Sequence, residues 1–268
     1  INDININNKF EHLIKIYNKI NNTINNNNYI IGEIEIKKED INKDIRIINS
    51  YENYKRENKE DKDYENIFEN EEEIRENCQI KINNKIIPFS YYHKFDKEGK
   101  YTIKYIFKDK LNVPFGLFLG CKFLINLNLS NFEIQNVTNM CSMFQACVSL
   151  TNLNLSNLNT QNVTNMNGMF LYCESLSNLD LSNFNTQNLI DIWGIFSHCT
   201  SLSNLDLSNL NTQNVTDMWG MFFHCTSLSN LNLSNFNTKN LTKMICMFYF
   251  CILLINLDLS NFLYSECY

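Results

Sequence analysis

The chain has 268 residues, 44% of them hydrophobic, and a formal net charge of −6. That is enough apolar material for a substantial core. The charge is uneven: residues 1–110 hold 20 Lys/Arg and 21 Asp/Glu, whereas residues 111–268 hold 3 and 8. A nucleic-acid binder needs clustered Lys/Arg against phosphate, so that class is disfavoured for the whole chain. The longest apolar runs fall short of the roughly 18 residues that would span a bilayer as a helix. The chain opens at Ile1 without a methionine or an apolar leader, which reads as a fragment or a processed chain.

Residues 1–28 are Asn-rich. Phe10, Leu13, Ile14, Tyr17, Ile20 and Ile24 keep helical spacing, which predicts a short helix over about 8–21. Residues 29–110 read as a small β-rich domain. Ile30 to Ile36 alternates like a half-buried strand, and Ile45 to Ile48 comes next as its expected partner. Residues 52–76 form a dense mixed-charge run, a solvated face with Tyr64, Ile67 and Phe68 as possible anchors. Gln79–Ile82, Ile86–Phe95 and Tyr101–Phe107 alternate again, with turns at Asn83-Asn84 and Asp96–Gly99. No activity is specified by these residues. Stacked repeats expose an apolar end unless something covers it, so the simplest use for this region is a cap.

Residues 111–268 are organised by an internal repeat. Cys121, Cys147, Cys173, Cys199, Cys225 and Cys251 recur every 26 residues, as do Phe118, Phe144, Phe170, Phe196, Phe222 and Phe248. Each unit starts with L-x-x-L-x-L, as in Leu150, Leu153 and Leu155, where alternation predicts a short strand. A strand this short cannot bury its leucines alone, but parallel copies stacked on one another can. The second half changes period: Val163, Met166, Phe170 and Cys173 fall on one face of a short helix, with Asn162 as its cap. Gly168, Gly194 and Gly220 sit mid-segment, where glycine costs a helix about 1 kcal/mol against alanine. The expected fold class is an α/β solenoid, leucine-rich-repeat-like, with one parallel strand and one short helical return per coil. It has about six coils and an N-terminal β-rich capping domain.

The run L-x-x-L-x-L, continued by Met169, Phe170, Cys173 and Leu176, resembles the BspA-like leucine-rich repeats. The phrase SN-x-NT-x-NVT-x-M is similar to the 26-residue repeat of bacterial and mycoplasmal surface proteins. The resemblance covers roughly residues 111–262 and runs through every coil. It implies a leucine-rich-repeat solenoid, and it implies interaction proteins at the cell surface or outside the cell; a cytoplasmic location stays open. One departure concerns the repeat asparagine, which in leucine-rich repeats lies three residues after the last leucine. Leu158 or Phe184 stands there, and Asn157 is one residue early, so the polar ladder at the turn is built differently.

The cysteine column could suggest disulfides or metal. Equivalent positions point inward in parallel, however, and tetrahedral ligation needs four converging ligands. Buried free thiols fit the apolar face better. His198 with His224, and Trp193 with Trp219, share columns; the histidines are expected on the convex side and the tryptophans between returns. The candidate binding surface is the concave strand face. Between its leucines it displays Asn126 and Asn128, Thr151, Asn152 and Asn154, Asn178 and Asp180, Asn204 and Asp206, Asn230 and Asn232, and Asn256 and Asp258. Two readings stand for this polar stripe: a ligand-binding surface, or simply soluble strand residues satisfying one another.

No nucleophile–base pair, phosphate loop or metal-ligand set is present, and no cofactor is implied. The expected function is a non-enzymatic interaction module, protein binding or adhesion through the concave face. A structural spacer or scaffold is the first alternative, and carbohydrate or cell-wall binding through the same stripe is the second.

Overall fold

The computed structural model describes residues 27–57, 70–134, 136–255, 257–260 and 262. The helix expected over 8–21, the anchors Tyr64, Ile67 and Phe68, and the candidate Asn256 lie outside those residues.

Ten strands and two α-helices are described: β1 (Tyr29–Ile36), β2 (Ile45–Arg46), α1 (Tyr51–Glu57), α2 (Glu71–Asn77), β3 (Cys78–Ile82), β4 (Lys85–Ile87), β5 (Tyr92–His93), β6 (Gly99–Phe107), β7 (Leu124–Asn131), β8 (Asn152–Asn154), β9 (Asn204–Leu205) and β10 (Asn230–Leu231). The largest sheet has the order β4-β3-β6-β1-β7-β8. Within it β1 pairs antiparallel with β6 on one side and with β7 on the other. β7 and β8 are parallel, with Leu127 opposite Leu153. β1 alternates because both its edges are paired while Ile30, Ile34 and Ile36 face the core. The expected pairing of Ile45–Ile48 with β1 does not occur: β2 pairs with β5 in a small separate sheet. Gly32 lets the two parts of the chain meet. A Cβ placed there would come within 3.1 Å of Leu124 and 3.3 Å of Leu127.

The expected α/β solenoid with helical returns is overturned. Both α-helices lie before residue 78, and among the described residues of the repeat there is none. The chain is built of mixed sheets, and each short strand leads into a series of turns. Gly168, Gly194 and Gly220 have φ near +55°, and Ser142 and Cys246 adopt the same left-handed conformation in their columns. Four residues later the chain turns left-handed again, at Ala146, Tyr172, His198, His224 and Phe250. An α-helix cannot pass through two such positions.

The backbone bonds show how the helix is replaced. Met169, Leu171 and Cys173 donate to carbonyls three residues back, as turns do. The alternate amides, of Gly168, Phe170 and Tyr172, donate to Trp193, Ile195 and Ser197, in the next repeat. Spacing of i, i+3 and i+7 is thus produced by stacked turns that bond between repeats rather than within one. Nor does Asn162 cap a helix: its equivalents Asn188, Asn214 and Asn240 donate through Nδ2 to the carbonyls of Gln161, Gln187 and Gln213, one repeat earlier.

A continuous apolar core runs through this stack. Phe118, Phe144, Phe170, Phe196, Phe222 and Phe248 form a column of parallel rings with centroids 5.7–6.1 Å apart. Tyr105 of β6 meets Phe118 edge-on at 5.2 Å and joins the N-terminal sheet to that column. The leucines of each repeat complete the core, with Leu150, Leu176, Leu202 and Leu228 fully buried.

Candidate functional site

The polar stripe divides into two columns with different work. In the first, Asn128, Asn154, Asp180, Asp206, Asn232 and Asp258 each accept, at Oδ1, the backbone N–H two residues on, at 2.9–3.0 Å. These are Asx turns, which end each short strand by giving its backbone a local partner. The hydroxyl and amide of Ser182 hold the Asp180 carboxyl below its usual range, and the amides and hydroxyls of Ser208 and Ser260 do the same for Asp206 and Asp258. The hydrogen bonds favour the ionised form.

The second column is displayed rather than used. Asn152, Asn178, Asn204 and Asn230 are exposed. Each donates one Nδ2 hydrogen to the hydroxyl of the residue before it, Thr151, Ser177, Ser203 or Ser229, at 3.2–3.3 Å. No other hydrogen bond engages these four amides among the described residues. Thr151 in turn donates to the carbonyl of Ile125, one repeat earlier. The hydroxyls therefore fix the amides in one orientation, and the amides remain at the surface. At the N-terminal end the stripe is interrupted. Asn126 is half-buried opposite Glu33 of β1 and donates to its carboxylate at 3.3 Å. Of the candidates, then, Asn126 and Asn128 meet the N-terminal sheet, Asn154, Asp180, Asp206, Asn232 and Asp258 hold turns, and Thr151, Asn152, Asn178, Asn204 and Asn230 form an open row.

The displaced repeat asparagine proves to be the ladder. Asn157 donates to the carbonyl of Ser130, and Asn183, Asn209 and Asn235 donate to Ser156, Ser182 and Ser208 at 3.0–3.1 Å. Buried Thr160 and Thr212 donate to Asn185 and Asn237 of the following repeat, and their Oγ1 atoms accept from the same residues' amides.

The described cysteines are free, and those at 121, 147, 173, 199 and 225 are buried. Cys147, Cys173, Cys199, Cys225 and Cys251 each donate Sγ–H to the carbonyl of a phenylalanine one repeat earlier, at 3.0–3.2 Å. Burial pushes the Cys121 thiol up to about 12 and drives Cys147, Cys173 and Cys199 well above the ordinary value. A thiolate is the species that attacks or binds metal, so these sulfurs are inert packing groups. The outer column is a stack of rings, Tyr172 on His198 at 4.3 Å and His198 on His224 at 4.9 Å, with Trp193 on Trp219 at 5.3 Å beside it.

Sequence reasoning missed Asn49 and Asn70. Both are 1% exposed and lie against the first turns of the repeat region. Asn70 Nδ2 donates to the carbonyls of Val113 and Phe115, and Asn49 Nδ2 to that of Leu119. Neither sits in a periodic pattern that would have marked it. Among the described residues no helix is long and apolar enough to cross a membrane.

No curated protein matches the chain, and no solved structure does. One family model does, described as "Mycoplasma protein of unknown function, DUF285", over residues 115–229 and again over 178–267. The matched residues are those of the Phe and Cys columns and the strand face, and since they make up more than half of the chain, it belongs to this family.

Proposed function

We propose that the protein is a non-enzymatic binding module that takes a protein partner along its strand face, at or outside the cell surface. The observation that carries the reading is the row Asn152, Asn178, Asn204 and Asn230: four equivalent amides, exposed and held in one orientation by neighbouring hydroxyls. Such a row offers one donor and one acceptor at each repeat, a pattern suited to polypeptide backbone and side-chain amides. Asp180 and Asp206 beside it add negative charge and favour a partner with basic residues. An extracellular setting is compatible with the core thiols, because burial rather than a reducing compartment keeps Cys121, Cys147, Cys173, Cys199 and Cys225 unreactive. The resemblance to BspA-like surface repeats points the same way.

The test replaces Asn152, Asn178 and Asn204 together with lysine. These side chains project from the surface, so the melting temperature should stay near that of the parent. Extracellular proteins carrying basic segments that the parent retains on an affinity column should be lost by the variant. Equal retention by both would reject the strand face as the binding surface, and retention of nothing by the parent would favour a spacer. Retention of glycans on an array, lost in the variant, would move the partner from protein to carbohydrate.

A further inference from the structure

The strand face continues past the first repeat. β7 pairs with β8 on one side and with β1 on the other, so the outward side chains of the repeats share a face with those of the N-terminal sheet. Two rows cross the junction. Asn152 lies opposite Asn126, Asn126 opposite Glu33, and Glu33 opposite Thr102. In the other row Asn154 lies opposite Asn128, Asn128 opposite Ile31, Ile31 opposite Lys104, Lys104 opposite Lys81, and Lys81 opposite Ile86. That row runs over all the strands of the largest sheet.

Charge changes sign along this face. Lys81 and Lys104 are half-buried and stand directly across from one another, where like charges repel. The Lys104 ammonium sits over the Tyr29 ring, 3.7 Å from its centroid. Among the described residues no carboxylate pairs with either lysine. The carboxylates of the same face are placed elsewhere: Glu33 accepts from Asn126 in the neighbouring row, and Glu35 stands opposite Lys100. At the far end Asp180 and Asp206 are exposed on successive repeats, and no lysine or arginine among the described residues pairs with them.

We propose that one extended segment of a protein partner crosses both parts of the chain, with acidic side chains on Lys81 and Lys104 and basic side chains on Asp180 and Asp206. The N-terminal sheet is then part of the binding surface as well as a cover for the first repeat. The inference rests on the strand-face reading and adds to it a second contact and a polarity. Each charged pair answers one sign only, so a uniformly basic or uniformly acidic segment meets repulsion at one end. From Lys104 the path to Asp180 passes over β1, β7 and β8, a distance of roughly 19 Å at about 4.8 Å per strand. An extended chain covers that span in about six residues. The exposed amides of Asn152 and Asn178 flank the path and can bond the backbone of the segment.

The probes are labelled peptides with blocked ends, EETTTTTKK, KKTTTTTKK and an all-threonine control of the same length, titrated with the whole chain at low salt and followed by fluorescence anisotropy. EETTTTTKK should bind roughly tenfold more tightly than either of the others. Lys81→Glu with Lys104→Glu should reverse that preference in favour of KKTTTTTKK. Lys81→Gln with Lys104→Gln removes the repulsion without adding charge; it should keep the parent's melting temperature and lose the preference, which serves if the glutamate pair fails to fold. The Asn152, Asn178 and Asn204 lysine variant should lose EETTTTTKK. The proposal is overturned if the parent binds EETTTTTKK no better than the control, or if both lysine-pair variants keep the parent's preference. In the second case, loss of binding in the asparagine variant would leave the strand-face reading standing. Undiminished binding by the asparagine variant would reject that reading and this proposal together.

Discussion

At the scale of single residues, one column states what the fold demands. Position 120 in the first repeat is glycine with φ +74°, and the equivalent Ala146 has φ +57°. An L-residue with a Cβ is disfavoured there by about 1–2 kcal/mol. Ala146→Gly should therefore stabilise the protein by about 0.5–1 kcal/mol in urea unfolding, since glycine's greater freedom in the unfolded chain returns part of the gain. Phe170 sits between Phe144 and Phe196 in the ring column and is fully buried. Phe170→Ala should cost about 3–5 kcal/mol by the same assay. The thiols supply a kinetic check. Exposed Cys246 should alkylate readily at pH 8, while Cys147, Cys173 and Cys199 should label roughly a hundredfold more slowly, read site by site by mass spectrometry. Comparable labelling would mean that the core opens.

These inward residues were legible from the sequence because a fixed period identifies equivalents: Phe170 and Cys173 are fully buried, and Leu153 is half-buried against the same core. Conformation was not legible in the same way. Val163, Met166, Phe170 and Cys173 share a face both in a helix and in the turns found here, so the apolar pattern cannot separate the two. The distinguishing facts are the left-handed pair at 168 and 172 and the acceptors at Trp193, Ile195 and Ser197. Those acceptors belong to the next repeat, and no pattern within one repeat encodes them. Gly168 was the local warning. Of the polar stripe, the sequence showed which residues alternate outward but not that half of them close Asx turns.

At the scale of the return, the stacked rings of Tyr172, His198 and His224 make a pH-sensitive seam. Burial, and then the neighbouring His224, hold the His198 imidazole below its ordinary value, while Glu174 opposes them. A base whose folded-state pKa is depressed binds fewer protons folded than unfolded once pH drops under the unfolded value of about 6.5. Stability is then complete above that pH and falls as pH declines toward the depressed value. The melting temperature should decrease between pH 7 and pH 5, and His198→Tyr, which repeats Tyr172, should flatten that decline. Asp191 acts in the opposite sense. Burial raises its pKa even though Asn167 and the Trp193 amide donate to it, so its ionisation works against folding at neutral pH. Asp191→Asn restores the residue found at the equivalent Asn165, and it should hold or raise the melting temperature at pH 7 while changing little near pH 4.

At the scale of the molecule, the repeat stack is anchored at one end. β1 supplies the edge partner for β7, Tyr105 abuts Phe118, and Asn49 and Asn70 cover the leading carbonyls. Asn70 also accepts the Tyr51 amide at 2.8 Å, so its side chain ties α1 to the repeats. Asn70→Ala removes a hydrogen-bond partner from the Val113 and Phe115 carbonyls and from the Tyr51 amide, at about 1–3 kcal/mol for each bond lost in the interior. The variant should lose several kcal/mol in denaturant unfolding, with exchange accelerating first in the earliest repeat. A loss confined to a few tenths of a kcal/mol would show that the carbonyl row does not need this cover.

Bonds between repeats join residues 25–29 positions apart all along the repeat region, from the thiol–carbonyl pairs to the asparagine ladder. Length is therefore quantised. Removing one whole period brings Phe to Phe, thiol to carbonyl and amide to amide again, whereas removing one residue more or fewer misaligns every rung at the junction. Genes of this kind can lengthen or shorten by unequal crossing-over in whole repeats and leave the rest of the molecule untouched, which lets reach change without any redesign of the interior.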